Sequence, residues 1–199
     1  KRIKEITQGM GIEVEVKLFY VPVQECIKRD ALRANPVGPK VIWDMYNRYL
    51  KPAPVVYEPP PNGRQAVICD LDGTLALRVT DRSWFDYDRA GEDALNCLLA
   101  DILKHLYTTH DILIVSGRED YSRDVVVAWL TSHDVPFSKI FMRATGDMRK
   151  DAIVKNEIFD THGRDNYNVQ AVFDDRQQVI LLWRSLGLNV FVVGKGEDF

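Results

Sequence analysis

The sequence predicts an α/β chain: a parallel β-sheet with helices on both faces. Three observations predict it. From about residue 64 onward, short apolar runs alternate with segments of helical period. The runs are continuously apolar rather than alternating, as strands covered on both faces are. Four of them end in polar residues able to do chemistry, as strands do where a parallel sheet presents its site-bearing edge.

The elements follow in order. "IEVEVKLFYVP", residues 12–22, alternates and then turns apolar, as a strand does. "NPVGPKVIWDMYNRYL", 35–50, predicts a helix, with Val41, Ile42, Met45 and Tyr49 on one face. Asn35 and Pro36 suit its cap and first position, while Gly38 and Pro39 offer a later start. "KPAPVVYEPPPNG" carries five prolines and reads as an extended connection, with a domain boundary at roughly residue 60. "QAVICD" is a strand ending at Asp70. "GEDALNCLLADILKHLY" has helical period, "DILIVSG" is a strand, "SRDVVVAWLTSHD" a helix and "SKIFMR" a strand. "RKDAIVKNEIFDTH" is a helix, "NVQAVFDD" a strand, "QVILLWRSLG" a helix that Gly187 stops, and "NVFVV" a last strand.

Composition bounds the function. The 199 residues carry a formal net charge of -3. That is no chain-wide basic field of the kind that grips duplex DNA, so any nucleic-acid contact is local, as at a strand end. Cys26, Cys69 and Cys97 are three in number without zinc spacing, which suits reduced thiols in a cytoplasmic protein. No signal peptide or membrane span is read. The first residue is Lys1, inside a helix-like segment, which suggests a fragment.

The chemistry lies at the strand ends. Right-handed crossovers bring Asp70, Ser116, Asp174, Asp175 and the "RATGD" loop to one edge of the sheet. Asp70, Asp72, Asp174 and Asp175 clustered there need a cation, and hard oxygen ligands suit Mg²⁺. With that charge offset, Asp70 can attack phosphorus and Asp72 can exchange the proton. Gly73 permits a sharp turn. Ser116 offers a hydroxyl to phosphate, and Arg118 and Lys150 offer positive charge. The local alternatives are a solvated turn for "DLDGT", a helix cap for Asp147, and a solvated basic loop for Arg78, Arg82 and Arg89. The four histidines lack ligand spacing, and Trp43, Trp129 and Trp183 fit packing positions. Trp84 and Phe85 suit either stacking on a terminal base or covering the site.

"DLDGT", "SGR", a basic "RK" before a helix and "DD" after a later strand stand in the order of the four motifs of the haloacid-dehalogenase-like phosphatases, which the sequence therefore resembles. The resemblance implies a Rossmann-like sheet with a small cap or none, Mg²⁺ dependence and an aspartyl-phosphate intermediate. It implies Asp70 as nucleophile, Asp72 as acid/base, and Asp70, Asp72, Asp174 and Asp175 at the metal. Ser116, Gly117, Thr74 and Lys150 (or the adjacent Arg149) would hold phosphate.

"DLDGTLA", "IVSGRE", "GDMRKDAIVKNEIF", "DDRQQVILLWRSLG" and "GEDF" resemble more closely the polynucleotide kinase-phosphatases known from bacteriophage. That likeness implies removal of 3′-phosphates from DNA or RNA ends in end repair, with Arg118 and Asp147 catalytic and Arg82 at the phosphate. "FYVPVQECIKRDALR" and "WDMY" resemble the end of the kinase half, so residues 1–60 are expected to be a kinase remnant plus linker and 61–199 the phosphatase domain. Arg29 and Arg33 would be lid arginines of the remnant. No G-x-x-x-x-G-K-[ST] occurs, so no kinase activity is expected of this chain. Two other readings stay open: a small-molecule or mononucleotide phosphatase of the same fold, and a non-catalytic end-binding or assembly module. A homo-oligomer is a further expectation, through apolar surface left by a truncated kinase half.

Overall fold

The computed structural model describes residues 21–50, 55–78, 81–83 and 86–196. Trp84, Phe85, most of the strand expected over residues 12–22 and all but Gly196 of "GEDF" lie outside the described residues. The chain divides into two units, Lys1–Ala53 and Pro54–Phe199.

In the first unit, helix α1 (Val23–Ala31) is followed by α2 (Pro39–Tyr49). The turn between them is organised by Asp30. Its carboxylate accepts from Gly38 N at 2.9 Å and Val37 N at 3.2 Å. The Gly38 N–H holds this carboxyl below its ordinary value; burial opposes the shift and the Val37 N–H adds to it. Gly38 takes φ 88°, a left-handed turn open to glycine, and Pro39 then enters at the first helical position. Of the two starts the sequence offers, the later one is used. Arg29 pairs with Glu25 and Arg33 with Asp30, both inside this unit.

The second unit is a five-stranded sheet with every pairing parallel. Its strands are β1 (Arg64–Cys69), β4 (Asp111–Glu119), β5 (Lys139–Arg143), β6 (Tyr167–Asp174) and β7 (Val190–Val192), in the order β5-β4-β1-β6-β7. A two-residue antiparallel ribbon, β2 (Ala76–Leu77) with β3 (Ala94–Leu95), interrupts the alternation, and a 3₁₀ turn, Tyr87–Glu92, lies between its strands. The helices are α3 (Cys97–Leu106), α4 (Arg123–Ser132), α5 (Asp151–Ile158) and α6 (Gln177–Ser185).

Alternate residues of β1 enter the two cores. Val67 and Cys69 pack with Leu99 and Leu103 of α3 and Val126, Trp129 and Leu130 of α4. Ala66 and Ile68 pack with Phe159 beyond α5 and with Val179 and Trp183 of α6. Each fully buried Val or Ile contributes about 1.5–3 kcal/mol, so burial on both faces fixes the register of β1.

Three differences from the sequence reading have local causes. The helix expected from residue 91 begins only at Cys97, because Asn96 caps it: its side-chain oxygen accepts from Leu99 N at 3.3 Å. Strand β4 runs on through Ser116 to Glu119, with its pairing to β5 irregular between those residues. Tyr57, inside the proline-rich connection, belongs to the second core. Its hydroxyl donates to Tyr167 O at 2.6 Å and accepts from Val169 N at 2.9 Å. Tyr57 thus falls within the second unit.

Candidate active site

The centre of the sheet edge is where β1 and β6 end side by side. Cys69 pairs with Phe173, and Asp70 N donates to Phe173 O at 2.9 Å, so Asp70 and Asp174 emerge as neighbours. Asp70, Asp174 and Asp175 are buried, and each offers an oxygen within 4.8 Å of the others. Gly73 makes this closeness possible. It turns the chain at φ 80°, and a Cβ there would overlap Asp175 Oδ2. The buried Thr74 hydroxyl lies 3.0 Å from Asp175 Oδ1 and 3.3 Å from Asp70 Oδ2, so it braces the carboxylates.

The cation the structure supplies is Lys155, from the second turn of α5. Its Nζ lies 2.6 Å from Asp70 Oδ1, 3.0 Å from Asp174 Oδ2 and 3.7 Å from Asp151 Oδ2. Burial tends to lower its value, yet Asp174, Asp70 and Asp151 together raise it, so the ammonium stays charged. One lysine does not offset the whole cluster. Burial pushes Asp70 well above its ordinary value; Lys155 opposes this, and Asp174, Asp151 and Asp175 push the same way as burial. Asp175 is raised by burial too. Three converging carboxylate oxygens with excess negative charge and hard character could hold a small divalent cation.

Asp72 stands apart from this cluster. Arg118 grips it with two bonds, Nε to Oδ2 at 2.8 Å and Nη2 to Oδ1 at 2.7 Å, and the three converging carboxylates do not include it. Asp93 fixes the arginines in turn. It accepts from Arg118 Nη2 at 2.9 Å and from Arg82 through both Nε, at 2.8 Å, and Nη2. Arg82 also reaches Asp72 Oδ1 at 3.5 Å. The Asp93 carbonyl accepts from Trp129 Nε1 at 2.9 Å, which ties the arrangement to the core beneath α4. Arg82 is therefore a buried partner of Asp72 and Asp93, not part of a solvated loop.

On the other side, Ser116 is fully buried at the bulge of β4, and its Oγ accepts from Arg118 N at 3.1 Å. Gly117 lets Asp151 approach: a Cβ there would overlap Asp151 Oδ1. Asp151 in turn pairs with Arg143 at 3.2 Å and Arg176 at 3.5 Å. A cleft of about 740 Å³ opens over these groups, lined by Asp70, Asp72, Gly117 and Asp151 inside and by Asp147, Met148, Arg149 and Lys150 at its loop side.

Two of the sequence candidates lie on the loop side of the cleft, away from the buried carboxylates. Lys150 is exposed and precedes α5, whereas Lys155, one helical turn past Asp151, is the lysine at Asp70. Asp147 likewise stays on the loop, paired with Arg149, whose side-chain and backbone N–H bonds hold it down at about 2. Arg149 also pairs with Glu157. The sequence does carry the missed signal. In "DAIVK" an acid and a lysine stand four apart on a helix, hence on one face. Asp93 gave no such signal, sitting in a stretch that reads as helical.

Comparison with known proteins places the second unit in a family. The family model described as the polynucleotide kinase PNKP phosphatase domain matches residues 64–199. A protein of Autographa californica nuclear polyhedrosis virus, named a bifunctional polynucleotide kinase/RNA ligase, is 35% identical over 178 residues, covering 85% of this chain and 26% of that protein. Two solved structures of a Pnkp1/Rnl/Hen1 complex, one described as an RNA repair complex, each cover 92% of this chain. One has a TM-score of 0.66 at 31% identity, the other 0.68 at 33%, with 64% and 63% of their own chains covered. The chain thus spans about a quarter of the viral relative and under two thirds of the solved chains.

Proposed function

The chain belongs to the polynucleotide kinase PNKP phosphatase-domain family, and from that premise we propose that it removes the 3′-phosphate from DNA or RNA ends through an aspartyl-phosphate intermediate, with Mg²⁺ as cofactor. One observation carries the reading. Asp70 is a buried carboxylate that nonetheless lines an open cleft, beside two further carboxylates and a lysine.

Mg²⁺ held by Asp70, Asp174 and Asp175 would supply charge that keeps Asp70 ionised and draws electron density from the phosphoryl oxygens. An Asp70 oxygen attacks phosphorus as the bond to the 3′-oxygen breaks. Asp72, protonated once one of its bonds to Arg118 opens, gives its proton to that oxygen. Asp72, now ionised, takes a proton from water, whose oxygen attacks the phosphoaspartate; inorganic phosphate leaves and Asp70 is restored. The bond to Arg118 that remains would hold Asp72 in line for both transfers. On this reading the Ser116 hydroxyl proton, the backbone beyond Asp70 and the Lys155 ammonium would meet the equatorial oxygens. The kinase/ligase relative and the RNA-repair complex support a place in end repair.

Phosphate release from a 3′-phosphorylated oligonucleotide, with and without Mg²⁺, tests the reading. Native chain should release phosphate only with the ion, and Asp70→Asn should lose at least about a thousandfold while keeping its fold. Turnover retained in Asp70→Asn overturns the covalent mechanism. A wide preference for free 3′-mononucleotides would assign a small-molecule phosphatase instead, and end binding without release a non-catalytic module.

A further inference from the structure

The cleft exceeds what a terminal phosphate requires: its volume of about 740 Å³ is in the range of sites that enclose a whole small molecule. Its inner walls are dominated by carboxylates, which repel any further phosphate of a nucleic-acid strand. The cations around it are mostly engaged. Arg143 pairs with Asp151 and donates to the carbonyls of Gly117, Asp147 and Arg149. Arg149 pairs with Asp147 and Glu157, and Arg176 with Asp151. Lys150 lines the cleft, is exposed, and has no acidic partner among the described residues.

The loop that carries Lys150 is braced. Thr145 N and Oγ1 donate to Asp120 Oδ1 at 3.0 and 2.6 Å, and Gly146 N to Glu119 Oε2 at 2.8 Å. On this held loop Met148 lines the cleft while 86% exposed, a large apolar side chain kept in water. A thioether is an adaptable surface that packs well on aromatic rings.

We propose that Lys150 and Met148 form a subsite for the nucleotide that bears the terminal phosphate, Lys150 meeting its 5′-side phosphodiester and Met148 its base. The proposal rests on the 3′-phosphatase reading above and deepens it. A nucleoside 3′-monophosphate offers Lys150 nothing, because it has no second phosphate. A strand end does, so this subsite selects polymer ends over free mononucleotides.

The test compares kcat/KM for a 3′-phosphorylated oligonucleotide with that for a 3′-mononucleotide, in native chain, Lys150→Ala, Lys150→Arg and Met148→Ala. Native chain should favour the oligonucleotide. Lys150→Ala should cut the oligonucleotide-to-mononucleotide ratio about tenfold, through KM rather than kcat, as loss of one charge-assisted contact does. Lys150→Arg should restore the ratio. The log–log salt dependence of oligonucleotide KM should shallow by about 0.7 in Lys150→Ala, the value of one single-strand phosphate contact. Met148→Ala should raise KM about threefold for both substrates and leave the ratio unchanged, because the mononucleotide carries the same base; the effect is a fraction of a stacked base's worth. A ratio and salt slope unmoved by Lys150→Ala, with brisk release from the oligonucleotide, overturn the subsite and leave the phosphatase reading standing. Release from an aryl phosphate but from neither 3′-phosphate overturns both.

Discussion

Replacing Lys155 with methionine tests the arrangement at Asp70 directly. Methionine keeps most of the volume and removes the charge, and the lysine side chain is 1% exposed, so water cannot take its place without rearrangement. Its Nζ is 2.6 Å from one aspartate oxygen and 3.0 Å from another, and losing it leaves Asp70 and Asp174 buried without a counter-charge. Breaking such a pair from one side costs about 3–5 kcal/mol.

The cost should depend on pH in a determined direction. Asp70 is raised above its ordinary 3.8, so between that value and its folded one the native state holds a proton the unfolded chain has released. Stability therefore falls as pH rises through that window, opposite to a carboxylate depressed by a partner. Without Lys155 the window widens upward. Urea unfolding in chelator should show Lys155→Met destabilised by about 3–5 kcal/mol near pH 8 and by less than half of that near pH 5. Mg²⁺ should stabilise the variant more than the native chain, because its cluster carries one more uncompensated charge; saturation a hundredfold above Kd is worth about 2.7 kcal/mol. Lys150→Met, on the exposed loop, should stay within about 0.5 kcal/mol. A variant folded near pH 5 but not near pH 8 gives the same answer. A pH-independent loss below about 1 kcal/mol would refute the compensation argument.

Asp93→Asn should destabilise by about 3 kcal/mol or more, since Arg82 and Arg118 are both buried against it, and calorimetry reads this directly. Arg118→Lys, which cannot grip Asp72 at two points, should lower kcat about a hundredfold with little change in KM, measured by steady-state phosphate release. Gly73→Ala should weaken Mg²⁺ binding in titration calorimetry by at least about tenfold, because its Cβ displaces Asp175 and the left-handed φ adds strain. Tyr57→Phe should cost about 1–3 kcal/mol in urea unfolding, since Val169 N loses its acceptor in the core.

The strands and the carboxylates at their ends were legible because buried parallel strands write their pattern plainly. "VICD" and "AVFDD" place Asp70, Asp174 and Asp175 where the structure has them. The helix-borne part was read less well. A basic pair beside a helix start drew attention to Lys150, although a cap-adjacent side chain points to solvent and one four residues past Asp151 shares that residue's inward face. The segment from Arg82 to Asp93 was opaque for a different reason. Its order comes from partners distant in sequence, Asp72, Arg118 and Trp129, and not from any period of its own.

That distinction bears on how one short motif sets two carboxylates in different surroundings. Asp70 and Asp72 stand two residues apart on one turn, and an isolated peptide would give them nearly the same surroundings. The fold separates them by counter-charge. Asp70 points into a group of carboxylates balanced by one lysine, so on the proposed reading an added cation would bind it and keep it an anion. Asp72 points to Arg118 and Arg82, whose own position is fixed by Asp93, so its placement requires no ion. Metal removal should therefore disable Asp70 while leaving Asp72 where it is. Conversely, Asp93→Asn should disturb Asp72 without weakening Mg²⁺ affinity. Measuring Mg²⁺ binding in Asp93→Asn separates the two: an affinity loss as large as that of Gly73→Ala would mean that the two carboxylates share one electrostatic unit after all.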